Sequence, residues 1–225
     1  MSKHLIKAWD WSKNTDQKWL VPCPDSAYLA ERWLSRNFRN ILDLGCGLGR
    51  HSIYMARHLF DVTAVDLSEH AVDHVRTWAE KEHLSVRASV CDMMELPFES
   101  ESFDCIIAYN VIYHTDRAGF LHALSEIRRV LYPGGELYLT LISKNTYSYQ
   151  HAEQYPQIDE NTLLRTEHGT EENVPHFYIG PGDMNDLFEG WIYELAPVEH
   201  WEYNFDHPEF YSVHWSMLLR KNSTD

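Results

Sequence analysis

No stretch of the chain approaches the roughly 18 consecutive apolar residues that a membrane-spanning helix needs. The opening residues, Met-Ser-Lys-His-Leu-Ile-Lys-Ala-Trp-Asp, hold no apolar run long enough for a secretory leader. Both absences predict a cytoplasmic chain with no membrane insertion. Positive charge is also scarce: 19 Lys and Arg face 34 Asp and Glu, a formal net charge of −15. So acidic a surface repels phosphate backbones and anionic lipid, and no run of Lys or Arg makes a local exception. Nucleic acid is therefore not an expected partner. Cysteine is sparse. Cys23, Cys46, Cys91 and Cys105 have no metal-ligand spacing, and all but Cys23 lie in or beside apolar runs. Reduced thiols in a reducing compartment fit this better than a disulfide framework. Internal repeats and low-complexity segments are missing too. What is there, 225 residues with 44% hydrophobic content, suits one domain with a modest insertion.

Apolar periodicity orders the elements. Asp25 and Ser26 are N-cap types ahead of a helix over 25–38, with Leu29, Ala30, Trp33 and Leu34 on one face. Ile41-Leu42-Asp43-Leu44 reads as a strand running into glycines, and a helix follows over 50–59. Residues 62–66 make a second strand. Ser68 caps a helix that turns Ala71, Val75 and Trp78 inward. Residues 86–91 are a weaker third strand and 103–109 a strongly apolar fourth. A helix over 118–131 places Phe120, Leu124, Ile127 and Leu131 on one stripe until Pro133-Gly134-Gly135 stops it; 136–142 is the fifth strand. This alternation predicts an α/β fold, a doubly wound, mostly parallel sheet covered on both faces. Residues 143–190 break the rhythm. They are polar, aromatic and turn-rich, with a short helix after Pro181, and read as an insert or lid. Segments 193–201 and 212–219 predict an antiparallel hairpin at one sheet edge. The expected division within one domain is a cap segment 1–37, a core 38–142, the insert 143–190 and closing strands 191–225.

Ligands of such sheets lie beyond the carboxyl ends of the strands, where the strand order reverses. That gathers the loops after residues 44, 66, 91 and 109 around one crevice. Asp43-Leu44-Gly45-Cys46-Gly47-Leu48-Gly49-Arg50 is the most specific segment. Its spacing is G-x-G-x-G, with Arg50 where a dinucleotide motif has its last glycine, and it suits a nucleoside with an amino-acid tail better than a pyrophosphate. Asp66 ends the second strand, 21 positions after Gly45, where a carboxylate can accept two hydrogen bonds from a ribose diol. Asp92 can accept from an adenine amino group, with Met93 or Met94 against the ring. Asn110 to His114 stand where reacting groups would meet.

Each residue has a plainer reading. The glycines can be a tight turn, Asp66 a helix-capping carboxylate, and Asp92 an ordinary loop acid. Asp43 either orients the loop from a buried position or touches the ligand's amino group. His114 is either a general base or acceptor-positioning group, or a histidine packed against the pocket. The chain has 14 histidines, and His176, His200, His207 and His214 lack i, i+4 pairing or cysteine partners. Structural or surface roles are expected for them, and no metal site. Trp9, Trp11, Trp19, Tyr147, Tyr149, Phe177 and Tyr178 flank the core. Ordinary packing is favoured for each, with at least one lining an acceptor pocket as part of an aromatic lid.

Four segments carry a family resemblance. Ile41 to Arg50 resembles the glycine motif of class I S-adenosylmethionine-dependent methyltransferases. Val65-Asp66-Leu67-Ser68 resembles their ribose-binding turn, Phe103-Asp104-Cys105-Ile106-Ile107 their fourth strand, and Arg129 to Gly135 the helix-turn before their fifth. The similarity covers about residues 38–142. It is greatest to the broad group that includes ubiquinone- and menaquinone-type and tellurite-resistance methyltransferases. The resemblance implies a Rossmann-like, seven-stranded sheet with an antiparallel edge hairpin. It implies S-adenosylmethionine as cofactor, held by Asp43, Gly45, Cys46, Gly47, Gly49, Arg50, Asp66, Leu67, Asp92, Met93 and Asn110. It also implies in-line methyl transfer to a small-molecule acceptor. His114, with an ordinary pKa close to working pH, is the candidate base where one is needed. A non-catalytic sensor that keeps the donor pocket is one alternative, and protein methylation another. A nucleotide-dependent oxidoreductase is a third, against which G-x-G-x-G and Arg50 speak. Acceptor identity and oligomeric state are left open.

Overall fold

The computed structural model describes residues 6–14 and 16–223. Residues 1–5, on which part of the leader expectation falls, lie outside the described residues. The core alternates as the periodicity predicts: α1 Ser26–Ser35, β1 Asn40–Leu44, α2 Arg50–Arg57, β2 Asp61–Asp66, α3 Glu69–Lys81, β3 Val86–Val90, β4 Phe103–Ala108, α4 Arg117–Val130 and β5 Leu131–Ile142. Side-chain caps start two of the helices. Ser68 Oγ accepts from the Ala71 amide ahead of α3, and Asp116 from the Gly119 amide ahead of α4.

β1 to β5 join β10 (Tyr211–Lys221) and β9 (Trp191–Tyr203) in a seven-stranded sheet of order β3-β2-β1-β4-β5-β10-β9. β1 to β5 run parallel, and β10 is antiparallel to both β5 and β9. This is a Rossmann-like, mostly parallel sheet with an antiparallel closing hairpin. The order reverses between β1 and β4, so their carboxyl ends open the crevice. Alternation along β1 feeds two cores. Ile41 joins Leu29, Trp33, Met55 and Phe60 on the α1 side, whereas Leu42 and Leu44 join Ile106, Phe120 and Ile127 on the α4 side.

Three features depart from the sequence reading. Pro133-Gly134-Gly135 does not separate helix from strand: α4 runs straight into β5, and the three residues sit in a register shift between the Phe103–Leu131 and Cys105–Glu136 pairs. The closing strands are longer than expected. The insert also builds a second sheet, β6 (Gln157–Asp159), β7 (Thr162–Arg165) and β8 (Val174–Phe177), in that order and antiparallel. It has two single-turn helices as well, α5 (Tyr147–Gln150) and α6 (Met184–Leu187), the latter after Pro181 as expected. The Phe177 amide donates to the Tyr113 carbonyl at 2.8 Å, which pins β8 against the loop after β4. Among the described residues, no helix is long and apolar enough to cross a membrane.

One buried charge ties α1 to the sheet. Glu136 is fully buried and accepts from Arg32 Nε at 2.9 Å, Arg32 Nη2 at 2.7 Å and Trp33 Nε1 at 2.9 Å. Arg32 continues to Glu194 on β9 at 2.6 Å. Removing one member of a buried, hydrogen-bonded charge set leaves the others desolvated and unpaired. Glu136→Ala is expected to lower unfolding free energy by about 3 kcal/mol, read as a lower denaturant midpoint.

Candidate active site

The loop after β1 is pinned by its neighbours. The amides of Gly45 and Cys46 both donate to the Val65 carbonyl, at 2.8 and 2.9 Å. The Gly47 amide donates to Asp66 Oδ2 at 2.9 Å, and Asp66 Oδ1 accepts from the Ser68 amide at 2.8 Å. Those amides hold the loop in place; they are not open to a ligand. Gly45 and Gly47 have φ of +67° and +51°. A Cβ at Gly45 would lie 2.2 Å from Val111, and one at Gly47 would lie 2.7 Å from Trp11. Both positions therefore demand glycine on backbone and space alike.

A cavity opens over this loop. Its floor is Gly45, Cys46, Gly47, Asp66 and Leu67, with Met93 on one side. Asn110, Val111 and His114 form the far wall. Asn110 takes a left-handed conformation (φ 54°), and its side chain and amide are both tied to the Thr140 hydroxyl. The roof is the N-terminal segment. Trp9, Trp11 and Trp19 line the cavity and pack on one another with ring centroids 5.1 to 5.5 Å apart. The Arg50 guanidinium lies between Trp19, at 5.1 Å, and Tyr109, at 4.9 Å. None of residues 143–190 lines the cavity.

Three assigned residues are set back from the wall. Asp43 is buried beneath the loop and accepts from the Ser52 hydroxyl on α2; burial pushes its carboxyl up to about 6, partly offset by Ser52 and Arg50. Asp43 thus stands behind the loop and off the cavity wall. Gly49 packs on Val75, and Asp92 accepts from the Met94 amide in a turn that aims Met93 inward. Asp66 is on the wall. Burial raises its carboxyl above the ordinary 3.8, while the amides of Ser68, Gly47 and Leu67 oppose that rise.

Among the described residues, two buried polar atoms on the wall have no hydrogen-bond partner, Trp9 Nε1 and His114 Nε2. One is a donor and the other lies on a ring that can accept. His114 is not near working pH. Burial first, then His176, push its pKa well below the ordinary 6.5, so the ring stays neutral. This corrects the expectation of a base titrating near neutrality. Behind it stand His176, on β8, and Glu171, on the turn before β8; one ligating atom from each of the three residues lies within 4.8 Å of the other two. His176, expected in a structural or surface role, is buried behind the wall. His200, His207 and His214 meet Ser216, Glu209 and the Tyr113 hydroxyl. Of the flanking aromatics, Phe177 and Tyr178 pack internally, on Phe120 and Tyr149.

Comparison with known proteins places this arrangement. Residues 41–135 match the methyltransferase domain family. The protein named Uncharacterized methyltransferase YodH, of Bacillus subtilis, is 35% identical over 97 residues, 43% of this chain and 40% of that protein. The match thus spans under half of that relative's length. The ubiquinone biosynthesis O-methyltransferase of Coxiella burnetii is 28% identical over 168 residues, 75% of this chain and 69% of that protein. A solved structure of a SAM-dependent methyltransferase from Methanosarcina mazei shares the fold, with a TM-score of 0.68 at 19% identity over 84% of this chain and 97% of that one. Residues 41–135 form a methyltransferase domain, and the fold around them is that of S-adenosylmethionine-dependent methyltransferases. S-adenosylmethionine is the cofactor of this methyltransferase family. The matched segment carries the floor of the cavity and the far wall through His114, and leaves out the tryptophan roof, Glu171 and His176.

His51 also lines this cavity, and sequence reasoning passed over it. It is buried, accepts from the Cys23 amide at 3.2 Å and lies 5.0 Å from Tyr109. Burial, helped by Arg50, lowers its pKa from 6.5 to about 3. Below pH 6.5 the unfolded chain takes up a proton there that the fold refuses until about pH 3, so stability falls as pH drops through that window. At about pH 5 the loss attributable to His51 is about 2 kcal/mol relative to neutrality. Urea melts at both pH values are expected to show a slope smaller by that amount in His51→Gln.

Proposed function

We propose that this chain transfers a methyl group from S-adenosylmethionine to a small-molecule acceptor inside the cavity between Asp66 and His114. One observation carries the reading: a glycine floor too close-packed for any side chain faces, across one cavity, a buried donor and a buried potential acceptor left without protein partners.

The residues fit the donor. Asp66, with both oxygens already oriented by backbone amides, presents its remaining lone pairs to a ribose diol. Gly45, Cys46 and Gly47 let a ligand lie against the backbone, Leu67 flanks the sugar, and Met93 supplies a polarizable face for the adenine. Asn110 and Arg50 bound the amino-acid end. Asp43, Gly49 and Asp92 act from behind by holding the loops. When bound, S-adenosylmethionine supplies a methyl carbon already activated by its sulfonium, so the protein's task is alignment, worth on the order of 7–11 kcal/mol in well-oriented reactions. The roof of Trp9 and Trp11 excludes water from that alignment. Trp9 Nε1–H donates to the acceptor, and the neutral His114 ring offers its lone pair. The net charge of −15 supports a small acceptor over nucleic acid. Four free cysteines, three of them buried, support a cytoplasmic setting.

Asp66→Ala is expected to weaken S-adenosylmethionine binding about 10- to 100-fold by calorimetry; unchanged affinity would refute the ribose assignment. Trp9→Phe keeps an aromatic face but removes the N–H together with the five-membered ring. It is expected to raise the acceptor KM about tenfold with donor affinity unchanged. Radiolabelled methyl transfer into a metabolite extract tests the activity itself, and donor binding without any transfer would leave a sensor.

A further inference from the structure

The cluster behind the cavity wall is assembled from segments far apart in sequence. His114 follows β4, Glu171 lies on the turn between β7 and β8, and His176 is on β8. Each residue is oriented for ligation. His176 is 1% exposed and its Nδ1 faces the Val174 carbonyl at 3.1 Å, so Nδ1 carries the proton and Nε2 points away toward Glu171. A backbone carbonyl on the far ring nitrogen is the usual second support of a metal-binding histidine. Glu171 Oε2 lies 3.7 Å from His176 Nε2 and 3.4 Å from Arg165 Nη1, which orients the carboxylate from outside. His114 Nε2 is the decisive atom. It is buried, has no protein partner and belongs to a residue of the cavity wall. Leaving such an atom unpaired is unfavourable.

We propose that His114, Glu171 and His176 bind a divalent transition-metal ion, zinc in class, whose open coordination position faces the cavity. Two histidines and one glutamate with a vacant fourth position are a catalytic rather than a structural zinc set. Ligand atoms around tetrahedral zinc lie about 3.3 Å apart. The trio, within 4.8 Å now, closes by at most about 1.5 Å. Glu171, 29% exposed on its turn, has room to make that movement. The ion completes the orphaned nitrogen and holds an oxygen, sulfur or nitrogen lone pair of the acceptor beside the donor. An acceptor hydroxyl or thiol then binds as its anion with its proton released to solvent, which removes the need for a titrating base. This last step rests on the methyl-transfer reading; the metal site does not.

The test uses the full chain without an affinity tag, dialysed against zinc chloride and then against metal-free buffer. One equivalent of zinc per chain is expected. Glu171→Gln and His176→Asn are each expected to lower zinc affinity by more than about 100-fold, beyond the cost of an outer-shell partner, while His207→Ala, at an exposed surface position, leaves it unchanged. Circular dichroism checks the fold of each variant. Cobalt(II) loaded into the unaltered chain decides the matter without any variant: intense d–d bands of a four- or five-coordinate site support the proposal, and a weak six-coordinate spectrum overturns it. No retained zinc, or equal zinc affinity in His176→Asn, also overturns it. Calorimetry with S-adenosylmethionine on the same samples reports separately on the donor pocket.

Discussion

The cavity exists because the ends of β1 and β2 are locked together. Leu44 pairs with Val65 in parallel register, and the Val65 carbonyl then takes the amides of both Gly45 and Cys46. Asp66, one residue on, takes the Gly47 amide and the Ser68 amide that leads into α3. A single strand end thus shapes the floor, caps the next helix and aims a carboxylate. The roof depends on the same lock. Trp11 lies so close to Gly47 that only a residue without Cβ fits between them. Displacing the loop would unseat the tryptophan cluster, so floor and roof form one packed unit.

Much of this was legible in the sequence, for a physical reason. β1, β2 and β4 are fully covered central strands, and such strands read as short apolar runs. The glycine spacing and Asp66 sit next to those runs, so placing the strands placed the floor. β3 read weakly because it is an edge strand with an alternating, half-exposed pattern. The insert resisted for another reason. β6 to β8 are 3 to 4 residues long, too short for periodicity to register, and β8 carries a proline and a histidine. Its burial comes from docking on Tyr113, a tertiary contact with no local trace. Glu171 sits in a polar run, Glu167 to Glu172, that reads as solvated loop.

His114 shows how position and chemistry can part. The sequence put it in the loop after β4, and it does line the cavity, but its usefulness as a base was argued from an ordinary pKa. Packing among Tyr113, Trp9 and His176 removes water from the ring and favours the neutral form. A histidine kept neutral is a poor shuttle and a good lone-pair donor. The same burial acts on His51 and His214, so this end of the molecule holds several imidazoles that refuse protons. The environment opposes further positive charge except where a carboxylate such as Glu171 stands ready to balance it.

The division between matched and unmatched segments follows the cavity. Residues 41–135 contain the floor and the wall through His114, and they match a family defined by a shared cofactor. The tryptophan roof lies before that segment, and Glu171 and His176 lie after it. Within the matched group, Gly45 and Gly47 admit no side chain and Asp66 is fixed by two backbone amides, so this part of the floor tolerates little change. The unmatched group carries the roof over the cavity and the residues behind its far wall. In this chain the unmatched segments bring an indole N–H to the roof and set His176 and Glu171 behind the His114 wall. A purely apolar occupant of the cavity would leave both the Trp9 N–H and His114 Nε2 unpaired.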